Sequence, residues 1–291
     1  VNYRHQFHAG NFADVVKHAL LVPLFRGLQR KEKGFLHLDT HAGRGSYDLA
    51  AAARGDTLAR RPEWPDGIGR LRERRVPAGW LEDYVCLVEA FDAGRRTAGE
   101  AEGGLRHYPG SPALALALAR PQDRLAFCER HPEEAAALDG EFGWHRRVSV
   151  HPMDGYAAVR AMLPPPEKRA LVLIDPPYED GDEHARVVAA LGDGLRRLPG
   201  GTFAVWYPLT ERARADAFLR SFEALSPPPA WTVELTVAGP ASSLKMKGCG
   251  LLVVNPPWQT DQEIAPVLPF LAEALAQEPG GAAGLRWLVP E

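Results

Sequence analysis

Cysteine is scarce in this chain of 291 residues. There are three, Cys86, Cys128 and Cys249, with no regular spacing. An odd, scattered set argues against a disulfide framework and fits a reducing compartment. Long apolar runs are missing, and none approaches the roughly 18 residues of a membrane span. The opening Val1-Asn2-Tyr3-Arg4-His5 is polar and has no signal-peptide pattern, so a cytoplasmic location is expected. A strong charge of either sign is also absent, the formal net charge being −3. Any nucleic-acid partner must therefore meet a local basic face rather than a global field. The basic surplus lies in the first 110 residues.

Several site signatures are missing too. The chain has no G-x-G-x-x-G, which lowers a dinucleotide reading, and no G-x-x-x-x-G-K-[ST] for a nucleotide triphosphate. His5, His8, His18, His37 and His41 are numerous, but no H-E-x-x-H or Cys/His ligand spacing appears, so no metal site is assigned. There is no G-x-S-x-G elbow. No cysteine is placed as the nucleophile that C5 methylation of a base would need.

Hydrophobic residues make up 45% of the chain, enough for one large domain or a core domain with an insertion. Its centre is Leu171-Val172-Leu173-Ile174-Asp175-Pro176-Pro177-Tyr178. Four apolar residues read as a fully buried strand. Two prolines end it, because neither can donate to a ladder and both have fixed φ. The result is a stiff corner at a strand's C-terminal end, the edge where open α/β sheets bind ligands. It suits the amino group of an aromatic base. Asp175 and the Pro176 carbonyl accept the two N–H donors, and Tyr178 stacks on the ring.

The surrounding chain alternates strands and helices. Residues 1–46 read as an N-terminal arm, a helix from about Phe12 to Arg30 that Pro23 should kink, and the strand Phe35–Asp39. Residues 47–107 break the rhythm and read as an inserted helical subdomain, with helices at 48–61, 68–75 and 81–91. Residues 108–291 resume it. Ser111 and Pro112 read as a helix cap and first turn. Later helices are expected at 113–120, 133–142, 183–198, 211–222 and 262–276, and an edge strand near Trp287-Leu288-Val289. Fold class is thus α/β, a doubly wound sheet with helices on both faces and a helical insertion.

Four strands end in acids: Asp39, Glu129, Asp154 just past the third, and Asp175. On a parallel sheet these tips share one rim. Asp39 with the Gly43–Gly45 turn would hold a small zwitterion, and Glu129 would accept two ribose hydroxyls. Asp154, beside Gly155, would accept an adenine amino group. Ser111 at a helix N-terminus, Lys17 or His18 would receive a carboxylate. Those requirements match S-adenosylmethionine. Asn255-Pro256-Pro257-Trp258 repeats the corner with Asn and Trp. It comes too late in the chain to follow the three ligand-binding tips, so Asp175 is preferred, with Asn255 and Trp258 expected to line the acceptor side. Tyr3, Arg4, His5, His8, Asn11, Lys17 and His18 form a polar-aromatic cluster expected to fold over the site. Arg60 and Arg61, with Arg54, Arg70, Arg72, Arg74 and Arg75, read equally well as a salt-bridged surface or a phosphate-contacting face.

Taken together, Tyr3–Asn11 with Asp14 and Lys17-His18, Leu38–Gly43, Tyr108–Pro112, Asp175–Tyr178 and Asn255–Trp258 resemble the RlmJ family of bacterial 23S ribosomal RNA adenine-N6 methyltransferases over nearly the whole chain. The resemblance implies a Rossmann-like class I methyltransferase sheet and S-adenosylmethionine as cofactor. It also implies methylation of an adenosine in large-subunit RNA by a monomer with no obligate protein partner. It places Tyr3 and Lys17 near the catalytic and substrate side. His18, His41, Ser111, Glu129, Asp154 and Asp175 fall at cofactor and catalytic positions. Three alternatives stay open on the residues alone: DNA adenine-N6 methylation, methylation of a protein glutamine, and a non-catalytic RNA-binding protein on the same scaffold.

Overall fold

The computed structural model describes residues 7–50, 61–96 and 104–291. Its strands are β1 (Leu36–Asp39), β2 (Ser46–Asp48), β3 (His107–Pro109), β4 (Arg124–Cys128), β5 (Val148–His151), β6 (Ala170–Ile174), β7 (Thr202–Pro208), β8 (Ala230–Thr236), β9 (Gly248–Val254) and β10 (Ala282–Val289). Its helices are α1 (Phe12–Gln29), α2 (Ile68–Arg72), α3 (Trp80–Arg95), α4 (Ser111–Leu118), α5 (Pro132–Phe142), α6 (Gly155–Met162), α7 (Glu183–Arg197), α8 (Arg212–Glu223), α9 (Thr260–Ile264) and α10 (Leu268–Leu275). Eight strands form one sheet in the order β10-β8-β9-β7-β6-β1-β4-β5. From β5 to β7 every neighbouring pair is parallel. β9 then runs antiparallel to β7, as it does to β8, and β10 runs antiparallel to β8. The sheet is a Rossmann-like α/β architecture, parallel through its centre with antiparallel strands at one edge.

Side chains alternate across the sheet, and both faces are covered. On β6, Leu171 and Leu173 join the core under α1, α3 and α4, while Ala170, Val172 and Ile174 join the core under α6, α7 and α8. Burial on both sides explains the unbroken apolar run, since a strand covered on both faces has no solvent side to mark. α1 is buried at every position from Phe12 to Phe25. Apolar side chains surround it on every face, and the charged Asp14 and Lys17 are buried with them as an ion pair. The helix continues through Pro23, where one i→i−4 bond is missing, so the proline does not restart it. The Asn11 side chain caps α1 by accepting from the Asp14 N–H at 2.9 Å.

The chain departs from expectation in three further places. The helix expected at 262–276 is split by the 3₁₀ turn Ala265–Val267, because Pro266 and Pro269 remove donors in the middle of the run. The C-terminal edge strand is the eight-residue β10, longer than three apolar residues foretold. Gly110, not Ser111, is the cap of α4, which leaves the Ser111 hydroxyl for other work.

Phe203 of β7 is fully buried, and a Cβ added at Gly194 of α7 would come 2.5 Å from its ring. Phe203→Ala is expected to lower stability by about 3–5 kcal/mol through the cavity it leaves. A urea titration should show a lower midpoint at unchanged slope.

Candidate active site

The C-terminal tips of β5, β4, β1 and β6 open into a cleft of about 1350 Å³. Glu129, Asp154, Gly155, Asp175, Pro176 and Tyr178 line it, as do Lys17, His18, His41, Gly43, Ser111 and Arg61. Parallel neighbours bring these tips together although they are far apart in sequence.

After β1 the chain turns through Gly43 (φ +59°) and Gly45 (φ +82°), left-handed conformations that favour glycine. A Cβ at Gly45 would strike the Phe142 ring at 2.4 Å. Glu129 is tied to this turn: its Oε2 accepts from the Gly43 N–H at 2.9 Å and its Oε1 from the His131 N–H at 2.7 Å. Each oxygen keeps a lone pair for hydroxyl donors. Asp154 caps α6, its Oδ1 accepting from the Tyr156 N–H at 2.9 Å and the Ala157 N–H at 3.0 Å. Its Oδ2 accepts from Arg186 at 2.9 Å. The guanidinium of Arg186 lies 4.5 Å above the Tyr156 ring. Gly155 leaves no room for a side chain, since a Cβ there would sit 1.9 Å from the Thr40 carbonyl oxygen. His41 shares a hydrogen bond with the Thr40 hydroxyl at 2.8 Å, and burial pushes its pKa down to about 4, so its ring is neutral at pH 7.

Asp39 lies behind the cleft wall and is fully buried. It accepts from the Ser111 hydroxyl at 2.6 Å and the His41 N–H at 3.2 Å. It therefore ties β1 to the start of α4, and a direct grip on an ammonium group, expected from sequence, does not fit a side chain outside the cleft lining. His37, two residues earlier, is a core side chain between Phe25 and Phe127. Burial takes its pKa down to about 3. Cys128 closes β4 but is fully buried, and desolvation pushes its thiol up to about 12, far from a nucleophile's range.

The Asp175 corner carries the densest electrostatics. Lys17, 5% exposed, donates to Asp175 Oδ2 and lies 3.0 Å from Asp14 Oδ1. Two carboxylates thus hold it, and an open ammonium for a ligand carboxylate, as the sequence suggested, is not what the structure offers. The attraction of Asp14 and Asp175 outweighs burial and raises its pKa well above the usual value. His18 is equally enclosed: its Nδ1 is 2.8 Å from the Tyr108 hydroxyl, itself 2.8 Å from the Tyr84 hydroxyl. Tyr178 has φ +51°, a strained value for an aromatic residue. Its hydroxyl donates to the Trp206 carbonyl at 2.7 Å, and its ring lies 4.8 Å from His184.

The second Pro-Pro corner is elsewhere. β9 is antiparallel to β7, so Asn255 emerges beside the first residue of β7, at the opposite end of the sheet. There its amide donates to the carbonyls of Pro199 and Gly201, at 2.8 and 2.9 Å. Trp258 is 63% exposed, with its carbonyl held by Arg30. Neither can line the acceptor side of this cleft. The arginine face divides as well. Arg70, Arg72 and Arg74 pair with Asp66, Glu89 and Glu273. Arg61 lines the cleft, and Tyr3, Arg4, His5, Arg54 and Arg60 lie outside the described residues. Sequence reasoning missed Arg186 and the bond between Lys17 and Asp175. Glu183 and Arg186 are a legible i,i+3 pair, but nothing local shows that Asp154 completes it.

The donor set fits S-adenosylmethionine. Carboxylates flank the glycine turn where ribose hydroxyls and an adenine amino group need acceptors. Of the cations lining the cleft, Arg44 and Arg186 are already neutralised by Glu134 and by Asp154 with Glu183.

A family model described as Ribosomal RNA large subunit methyltransferase D, RlmJ, matches residues 32–289. Ribosomal RNA large subunit methyltransferase J of Escherichia coli (strain K12) is 37% identical over 291 residues, the whole of both chains. The protein of the same name from Haemophilus influenzae is also 37% identical over the full length of both. A crystal structure of a Legionella pneumophila protein superposes with a TM-score of 0.82 at 34% identity, covering 98% of this chain and 99% of that one.

Desolvation raises the pKa of Asp39 to about 6, against the lowering effect of Ser111 and Lys17. The folded protein then binds this proton more tightly than the unfolded chain. The contribution to stability is complete below the unfolded value near 4 and is lost as pH rises through 6. Asp39→Asn removes that loss. The stability of the variant relative to wild type is expected to rise by on the order of 2–3 kcal/mol from pH 4 to pH 7, measured by chemical unfolding at each pH. A difference that stays constant over that range would refute the assignment.

Proposed function

The chain belongs to the RlmJ family of ribosomal RNA large subunit methyltransferases, S-adenosylmethionine-dependent enzymes of adenine N6 in 23S ribosomal RNA, and from that premise we propose how its residues divide the work. Glu129 accepts the ribose hydroxyls of the cofactor. Asp154 accepts its adenine amino group beside Arg186. The backbone N–H of Ser111 and the first turn of α4 receive its carboxylate, with His18 and His41 lining the same cleft. Bound there, the cofactor supplies an electrophilic methyl group.

The acceptor adenosine leaves its stack and enters from the side of Tyr178 and Trp206, at lower cost if the RNA is already single-stranded. Asp175 and the Pro176 carbonyl accept the two N6–H donors. Their acceptance draws the nitrogen toward a pyramidal shape and frees its lone pair. Positive charge developing on N6 meets the Asp175 carboxylate, preorganised before the reaction. The proton leaves afterwards, and no strong base is required. By resemblance to the family, Tyr3 serves the catalytic and substrate side and Arg4 the substrate. Arg60 and Arg61 contact flanking phosphates from the 47–107 segment, which acts as an inserted RNA-facing subdomain. The protein works in the cytoplasm as a monomer. Among the described residues no helix is long and apolar enough to cross a membrane.

One observation carries this division of labour: the Asp175 corner opens into the same cleft as Glu129 and Asp154. Asp175→Asn is expected to cut methyl transfer by about 100-fold or more. Labelled methyl groups should appear in the RNA fraction, not in DNA or protein, and digestion with mass measurement should place them on adenine N6. A normal rate in the variant would remove Asp175 from the mechanism, and label in DNA or protein would remove the substrate. Arg61→Ala is expected to weaken RNA binding and lower the slope of log affinity against log salt by about one. An unchanged slope in a salt titration would exclude a phosphate contact there.

A further inference from the structure

The functional division above leaves unused a buried acid that lines the cleft and touches Lys17. Asp14 is 3% exposed, in the first turn of α1. Its Oδ2 accepts from the Gly10 N–H at 3.0 Å. Its Oδ1 lies 3.0 Å from the Lys17 ammonium and 3.9 Å from His18 Nε2. Lys17 in turn donates to Asp175 Oδ2. A carboxylate has two oxygens, so the oxygen held by Lys17 is fixed and the other stays available.

We propose that Asp14 is a positioning residue for methyl transfer. It keeps the Lys17 ammonium charged and aimed at Asp175 Oδ2, which leaves Asp175 Oδ1 turned to the acceptor amine. Burial alone drives a lysine toward its neutral form. A neutral Lys17 would release Asp175 to rotate, and its charge would no longer complement the carboxylate. Asp14 is the second carboxylate that prevents this. The other groups facing Lys17 come from several elements. His18 lies beside it on α1. Asp39 reaches it electrostatically from β1, Tyr84 from α3 and Cys249 from β9. Tyr108 of β3 faces Asp14. Burial keeps the two tyrosine hydroxyls and the Cys249 thiol protonated. Asp39 sits behind the wall on Ser111. Among the described residues, Asp14 and Asp175 are thus the two carboxylates that touch the ammonium.

The test is the pH profile of kcat under saturating cofactor and RNA. In the wild-type enzyme kcat should stay level to about pH 9.5, because Lys17 holds its proton. In Asp14→Asn an alkaline limb should appear, with kcat at pH 9 falling about tenfold from its value at pH 6.5. Asp14→Glu, which keeps the charge, should restore the level profile. A role confined to folding would lower activity equally at all pH values and would give no such limb. A level profile in a folded Asp14→Asn overturns the proposal. So does a wild-type profile that already falls below about pH 8, a measurement that needs no variant. The proposal rests on the methyl-transfer function above, and the two fail separately. A wild-type protein that methylates no RNA removes the function, whereas an active wild type with an indifferent Asp14→Asn removes Asp14 alone.

Discussion

A lysine ammonium buried between two carboxylates joins the first helix to the Asp175 corner, and much of the molecule is arranged around that contact. Lys17 comes from α1, Asp175 from the tip of β6, and they are 158 residues apart. Taking charges out of water is costly unless each is paired and its remaining hydrogen bonds are met. Here Asp14 supplies the second partner, and the Gly10 N–H satisfies Asp14 in turn. The pairing restricts where α1 can sit against the sheet. It helps explain why α1 is enclosed from Phe12 to Phe25 and runs through a proline without breaking.

The direction of the strands decides the rest of the site. Four parallel strands deliver Asp39, Glu129, Asp154 and Asp175 to one rim, but their depths differ. Glu129, Asp154 and Asp175 line the cleft, while Asp39 sinks behind it and anchors Ser111. One antiparallel strand sends the Asn255 corner to the far end, where its amide stitches the loop before β7. Two tetrapeptides built on the same Pro-Pro centre therefore have unrelated surroundings. What separates them is strand polarity, which no property of the tetrapeptide encodes.

Electrostatic pairing sorts the cleft's cations in the same way. Arg44 and Arg186 line the cleft and are neutralised in place by Glu134 and Asp154. Arg70, Arg72 and Arg74 are spent on neighbouring carboxylates. A count of arginines in the 47–107 segment overstates its attraction for phosphate, because ion pairs with Asp66, Glu89 and Glu273 cancel much of it. Arg61, at the cleft, is better placed to contact RNA.

Local chemistry was legible in the chain without coordinates. Apolar runs bounded by prolines and glycines marked β1, β4, β6 and β7, and the acids after them marked the rim, because a strand's end and its turn are determined by the residues that compose them. The Asp175 corner could be read for the same reason: two fixed φ angles and a missing donor are covalent facts. Only the tertiary structure decided which polar atoms meet. It closed Lys17 onto Asp175, set Arg186 on Asp154, hid Asp39 and turned Asn255 away. Each of those outcomes depends on partners brought together by the sheet's order and polarity, and on burial that makes an unpaired charge too costly to leave alone.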